Sequence, residues 1–128
     1  MTPSLRTPLA GSRGLGSARS GTEEWWQQRG TAIALVPLTV AFVVLMIRLI
    51  GADYDETARA MGNFYVATLT LIFVGAFTWH LKLGLCVIID DYVHLLWLRL
   101  SLRLAATFGC AVMVVSCAVS LAKHATRF

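Results

Sequence analysis

Charged side chains are scarce in this sequence. Asp, Glu, Lys and Arg make up 14% of its 128 residues, against about a quarter in soluble domains. Hydrophobic residues make up 57%. That composition excludes an ordinary soluble domain, and the length leaves little for a domain outside a membrane. Cysteine is sparse too. Cys86, Cys110 and Cys117 lie in apolar stretches, and none belongs to a close pair such as C-x-x-C. Buried free thiols are favoured over a metal site or a disulfide. No acidic residue precedes Glu23. Inside the apolar stretches proline occurs once, as Pro37, where it is placed to kink a helix.

What remains is a polar arm and three apolar spans. The arm, 1–28, is cationic and rich in Gly, Ser and Arg. Its composition is like that of a transit peptide, but a retained arm is favoured, because the residues just after it carry candidate functions. The anchor region, 29–128, holds spans at about 31–50, 64–89 and 104–122. Trp25 and Trp26 precede the first span as an interfacial belt. A hydrophilic loop, 51–63, and a second loop, 90–98, join the spans. The second span, at 26 residues, would be ~39 Å long and exceed the ~30 Å hydrocarbon core. The expected fold is all-α, with three transmembrane helices.

Basic residues set the expected orientation. With the N-terminus inside, Arg6, Arg13, Arg19, Arg29, Lys82, Arg99 and Arg103 share the inner side. Arg48, Arg59, Lys123 and Arg127 fall outside. Seven against four favours a cytoplasmic N-terminus.

Few residues in the spans can carry chemistry. His80 lies in the second span, and an imidazole inside a bilayer is costly unless it binds or transfers something. An interhelical hydrogen bond and ligation of a haem iron are about equally good readings of it. The chain has no second His at comparable depth, so a bis-His haem would need a ligand from another subunit. Gly84, one turn on, removes bulk where a flat cofactor could lie, although close helix packing explains it as well. Asp91 follows His80 by eleven residues and falls about 20° from it in helical projection, ~16 Å along the axis. Tyr92 adds a phenol able to donate to a quinone carbonyl, with the carboxylate beside it to relay protons. The bland reading of this pair is an interfacial helix stop. Arg29 is either an interfacial anchor or a partner for an anionic group such as a haem propionate.

Together, His80-x3-Gly84-x6-Asp91-Tyr92 resembles the H-x3-G-x6-D-Y pattern of the smaller hydrophobic membrane anchor of succinate dehydrogenase, respiratory complex II. Arg29-Gly30-Thr31-Ala32 resembles the R-x-T-A segment that opens the first helix in that family. The stretches 13–23 and 87–94 resemble its alphaproteobacterial branch, although that branch usually carries a His near the position of Glu24. The resemblance implies a haem-binding bundle shared with a second membrane anchor. It implies that His80 is one axial ligand of haem b, that Arg29 lies near the propionates, and that Tyr92 and Asp91 help bind ubiquinone, the substrate. It further implies docking of an iron–sulfur subunit and a flavoprotein subunit, and residence in the bacterial inner membrane. The sequence has neither flavin nor iron–sulfur motifs, so the chain alone is not expected to be an enzyme. No nucleic-acid partner is expected. Two alternatives stay open: a quinol:fumarate reductase anchor, and a small proton-linked transporter or channel component using His80, Lys82 and Asp91 without haem.

Overall fold

The structure is a computed structural model that describes residues 19–127 together with Thr7 and Leu9, with side chains from Thr22 onward in the continuous part. Most of the expected arm, including Arg6 and Arg13, lies outside the described residues. Four helices follow in order: α1 (Arg19–Leu49), α2 (Tyr54–Gly62), α3 (Phe64–Tyr92) and α4 (Leu96–Ala125). Among the described residues there is no strand. The all-α expectation holds, and α1, α3 and α4 are long and apolar enough to cross a membrane.

Each long helix outruns its expected span. The 31 residues of α1 are ~46 Å of helix, well beyond a ~30 Å core. Its first turns, from Arg19, occupy the last part of the expected arm, and it runs unbroken through Pro37. Gly51, at φ 84°, follows its end in the left-handed region that a residue with a Cβ avoids. The expected loop 51–63 is mostly the short helix α2. The Asp53 side chain caps it by accepting from the Tyr54 N–H at 2.8 Å. Asp55 and Glu56 fill its first turn and Arg59 its last, each sign suited to the helix dipole. Asn63 then serves twice. Its N–H donates to the Ala60 carbonyl to close α2, and its side chain accepts from the Tyr65 N–H at 3.0 Å to open α3.

The second expected loop, 90–98, shrinks to three residues outside the helices, Val93, His94 and Leu95. The reason is electrostatic. Asp90 stays helical on α3 because Arg103 of α4 pairs with it, and the Arg99 Nε lies 4.0 Å from the same carboxylate. Arg99 Nε also donates to the Val93 carbonyl at 3.0 Å, which fastens the turn. A charge of the expected loop and two from the stretch just after it therefore face each other across a tight hairpin.

Helix α3 is central. Both α1 and α4 pack on it, while α2 packs on α4 and α3. Phe42 of α1 stacks on Phe73 of α3 with ring centroids 4.3 Å apart. Elsewhere on α3, buried Thr78 meets α4, where Cys110 Sγ lies 3.7 Å from the Thr78 carbonyl oxygen. A sealed core is missing: among the described residues only Ala58, Leu121, Thr70 and Thr78 are buried. Ile33, Val36, Val40 and Ile47 stay 60–74% exposed along one side of α1. An apolar face of that kind is stable only against lipid or another apolar protein surface.

Candidate functional site

His80 stands near the middle of α3, half-buried, on the side that receives α1. Its Nδ1 lies 2.9 Å from Thr31 Oγ1. Thr31 sits on α1 and also bonds backward along its own helix, 2.8 Å from the Gln27 carbonyl oxygen and 3.0 Å from that of Gln28. Antiparallel packing brings the two together across 49 residues of sequence.

Gly84 lies one turn closer to the end of α3. A Cβ built there meets nothing within 4 Å. Among the described residues, then, no neighbour needs Gly84 to be small, and the space beside His80 on that side is open. The close-packing reading of Gly84 has no partner among the described residues.

Because α3 continues to Tyr92 without a break, Asp91 does fall on the His80 side, ~16 Å along the axis. Asp91 and Tyr92 are both exposed, Tyr92 at 78%. His94 Nδ1 donates to the Tyr92 carbonyl at 3.2 Å, so the chain turns immediately after the phenol. Arg29 is exposed, its guanidinium 4.3 Å from the centre of the Trp25 ring. Arg29 and Thr31 are two residues apart on α1, about 200° in projection, so Arg29 points away from the face that meets His80. The structure thus joins His80 to α1, places Gly84 and Asp91 along the same helix, and leaves Arg29 apart.

Two residues with clear contacts do not stand out in the sequence. Thr31 gives no sign of its partner, because the contact depends on how α1 and α3 are rotated. Asp90 carries a usable signal: an acid before the turn and two arginines after it is the pattern of a charge-clasped hairpin. A cleft of about 720 Å³ opens between the first turns of α1, the end of α3 and the start of α4, with Trp25, Trp79, Lys82 and Arg103 on its walls. None of the five candidate residues lines it, so its volume is no guide to their chemistry.

Among the described residues no three His, Cys, Asp or Glu side chains gather as a metal site. A haem iron needs only one axial donor atom from a chain rather than a cluster of ligands, and His80 has an imidazole nitrogen to give. Its half-buried ring, held at Nδ1 and beside open space at Gly84, fits that demand.

The family model described as succinate dehydrogenase/fumarate reductase transmembrane subunit matches residues 3–122. The chain belongs to this family. The succinate dehydrogenase hydrophobic membrane anchor subunit of Paracoccus denitrificans is 31% identical over 110 residues, covering 86% of this chain and 85% of that one. The corresponding protein of Rickettsia bellii is 27% identical over 121 residues, covering 94% and 97%. The succinate dehydrogenase membrane anchor subunit of Reclinomonas americana is 34% identical over 79 residues, covering 59% and 66%. No solved structure matches the chain significantly. The resemblance to the anchor family of alphaproteobacterial type is borne out by these relatives. As a transmembrane subunit with three apolar helices, this anchor is a multi-pass membrane protein that works within a larger complex. Family membership displaces the transporter alternative.

Proposed function

We propose that this anchor serves succinate:ubiquinone oxidoreductase, supplying one axial ligand of haem b through His80 and part of the ubiquinone-reduction site through Tyr92 and Asp91. A second membrane anchor supplies the other haem ligand, and the iron–sulfur and flavoprotein subunits dock on the same side as Tyr92. The relatives' names favour succinate oxidation over the fumarate-reducing direction. The observation that carries the reading is the placement of His80: half-buried in a membrane helix, oriented by a neighbour, and next to the unobstructed Gly84.

Each group then has a task. His80 would hold the iron, and Gly84 would leave room at the edge of the macrocycle. When bound, the haem supplies a one-electron redox centre inside the bundle. Tyr92, exposed at the end of α3, donates its hydroxyl to a quinone carbonyl, and Asp91 beside it carries protons from the water side. Reduction of a quinone to a quinol consumes two electrons and two protons, so a carboxylate at the water boundary is chemically useful there. Arg29 remains a candidate for the propionate end, which requires its side chain to leave Trp25.

The deciding experiment is the reduced-minus-oxidised spectrum of the purified complex carrying His80→Leu. Loss or alteration of the b-type bands is expected. An unchanged spectrum at full haem content would reduce His80 to a helix–helix contact. The basic-residue bias further puts the N-terminus in the cytoplasm of a bacterial inner-membrane protein. A single cysteine at Thr126 should then react with an impermeant reagent only from the outer side, and labelling only from the inner side overturns that orientation.

A further inference from the structure

We propose that Thr31 is a positioning residue that selects the tautomer of His80 and so presents Nε2, with its lone pair, as the nitrogen available to a metal. The proposal rests on the reading of His80 as a haem ligand.

The argument follows from counting protons. A threonine hydroxyl has one hydrogen and two lone pairs. Thr31 Oγ1 lies 2.8 Å from the Gln27 carbonyl oxygen and 3.0 Å from the Gln28 carbonyl oxygen. Both neighbours are acceptors only. The hydroxyl hydrogen must therefore point to them, because an oxygen lone pair facing a carbonyl oxygen at that distance is repulsive. The third contact, His80 Nδ1 at 2.9 Å, then meets an oxygen lone pair. Only Nδ1–H can occupy that position, since two lone pairs would again face each other. A neutral imidazole carries one ring proton. With that proton on Nδ1, Nε2 is the bare nitrogen.

Free imidazole has no such restriction. Without Thr31 the ring could place its proton on either nitrogen and rotate about its side-chain bonds. Two backbone carbonyls of α1 thus act through one hydroxyl on a ring of α3. Metal-ligating histidines commonly donate their second ring N–H to an acceptor, which fixes the ring and raises ligand basicity. A more basic nitrogen favours the ferric over the ferrous iron, so it holds the midpoint potential down.

The test uses the assembled complex, purified with its haem. Thr31→Val keeps the branched shape and removes the acceptor, while Thr31→Ser keeps the hydroxyl and removes the methyl. The readouts are the haem midpoint potential, the low-spin ferric electron paramagnetic resonance signal, and haem retention on dilution in detergent. Thr31→Val should raise the potential, shift the ferric signal and weaken haem retention roughly tenfold or more. Thr31→Ser should stay close to the unsubstituted complex. Where Thr31→Val does not assemble, Thr31→Ala is read in the same way. An unmoved potential and signal in the hydroxyl-less variants, or an equal shift in Thr31→Ser, overturns the proposal. His80→Leu keeps the two failures apart. If His80→Leu alters the spectrum and Thr31→Val does not, the tautomer proposal alone falls. If His80→Leu leaves the spectrum intact, the ligand reading falls first.

Discussion

Asp90 and Arg103 pair across the turn between α3 and α4, with side chains 35% and 38% exposed. The neighbouring Asp91 is exposed and lies along the His80 side of α3. Two adjacent carboxylates therefore differ in setting: Asp90 is engaged across the hairpin, and Asp91 faces outward.

The first prediction separates them. Asp90→Asn removes the charge that Arg103 and Arg99 share, at a partly exposed site where an ion pair contributes on the order of 1 kcal/mol or less. The thermal midpoint of the detergent-solubilised complex should fall slightly, and the yield of assembled complex with it. Asp91→Asn should leave both unchanged and slow ubiquinone reduction. The double exchange Asp90→Arg with Arg103→Asp should recover part of the lost stability. Equal effects of the two single Asn variants on the midpoint would contradict this division.

The same corner separates what is legible in the sequence from what is not. The interiors of the spans are legible, because runs such as 31–47 admit no reading except a buried or membrane helix. Their ends are not. Asp90 and His94 look like a loop by polarity, with Arg99 and Arg103 leading into the next span, yet pairing across the hairpin accompanies helix that continues nearly to the turn. The α2 helix does carry a start signal: Asp53 followed by Glu56 three residues on is a common helix opening, easily masked because the stretch is short and polar. His80, Gly84, Asp91 and Tyr92 are all visible as a pattern on one helix. The Thr31–His80 contact is not, because it depends on the relative rotation of two helices, which no single stretch of sequence encodes.

Gly62 supports a second prediction. A Cβ built on it would lie 3.1 Å from the His124 carbonyl oxygen, where the end of α2 meets the end of α4. That atom belongs to backbone and moves only with its helix. Gly62→Ala should cost on the order of 1 kcal/mol, and Gly62→Leu considerably more, by overpacking. Assembly levels of the two variants, compared in membranes, check the ordering. A Leu variant that assembles normally would mean that α2 can shift away from α4 at little cost.

Gly84 behaves oppositely. Among the described residues, no atom outside its own stretch of helix lies within 4 Å of a Cβ placed there. Gly84→Leu should therefore leave the chain's own helix packing intact, as judged by helical content and membrane insertion. Haem content or pairing with the second anchor should fall, because the added side chain enters the space beside His80. Gly84→Ala should be milder. Full haem content in Gly84→Leu would show that the open side is filled by lipid.

Tyr92 and His80 are twelve residues apart on one continuous helix, a rise of ~18 Å. On the proposed reading, a haem at His80 and a quinone at Tyr92 would occupy distinct sites, and mutation should separate them. Tyr92 is 78% exposed, and its hydroxyl has room to meet a ligand. Tyr92→Phe keeps the ring and removes only the hydroxyl, so assembly and haem spectrum should survive. What should fall is succinate-driven ubiquinone reduction, while succinate oxidation by an artificial acceptor at the soluble subunits persists. Losing one hydrogen bond to a small polar group costs on the order of 1 kcal/mol, which corresponds to a loss of about fivefold. A loss well beyond tenfold would place the hydroxyl in the transition state or in proton delivery as well as in binding. The same variant in an Asp91→Asn background distinguishes those two cases. If the phenol acts with the carboxylate in moving protons, the two losses will not add; if it only binds the carbonyl, they will. Normal ubiquinone turnover and unaltered inhibitor sensitivity in Tyr92→Phe would leave Tyr92 as an interfacial anchor, and the quinone site would then have to be sought on the partner subunits.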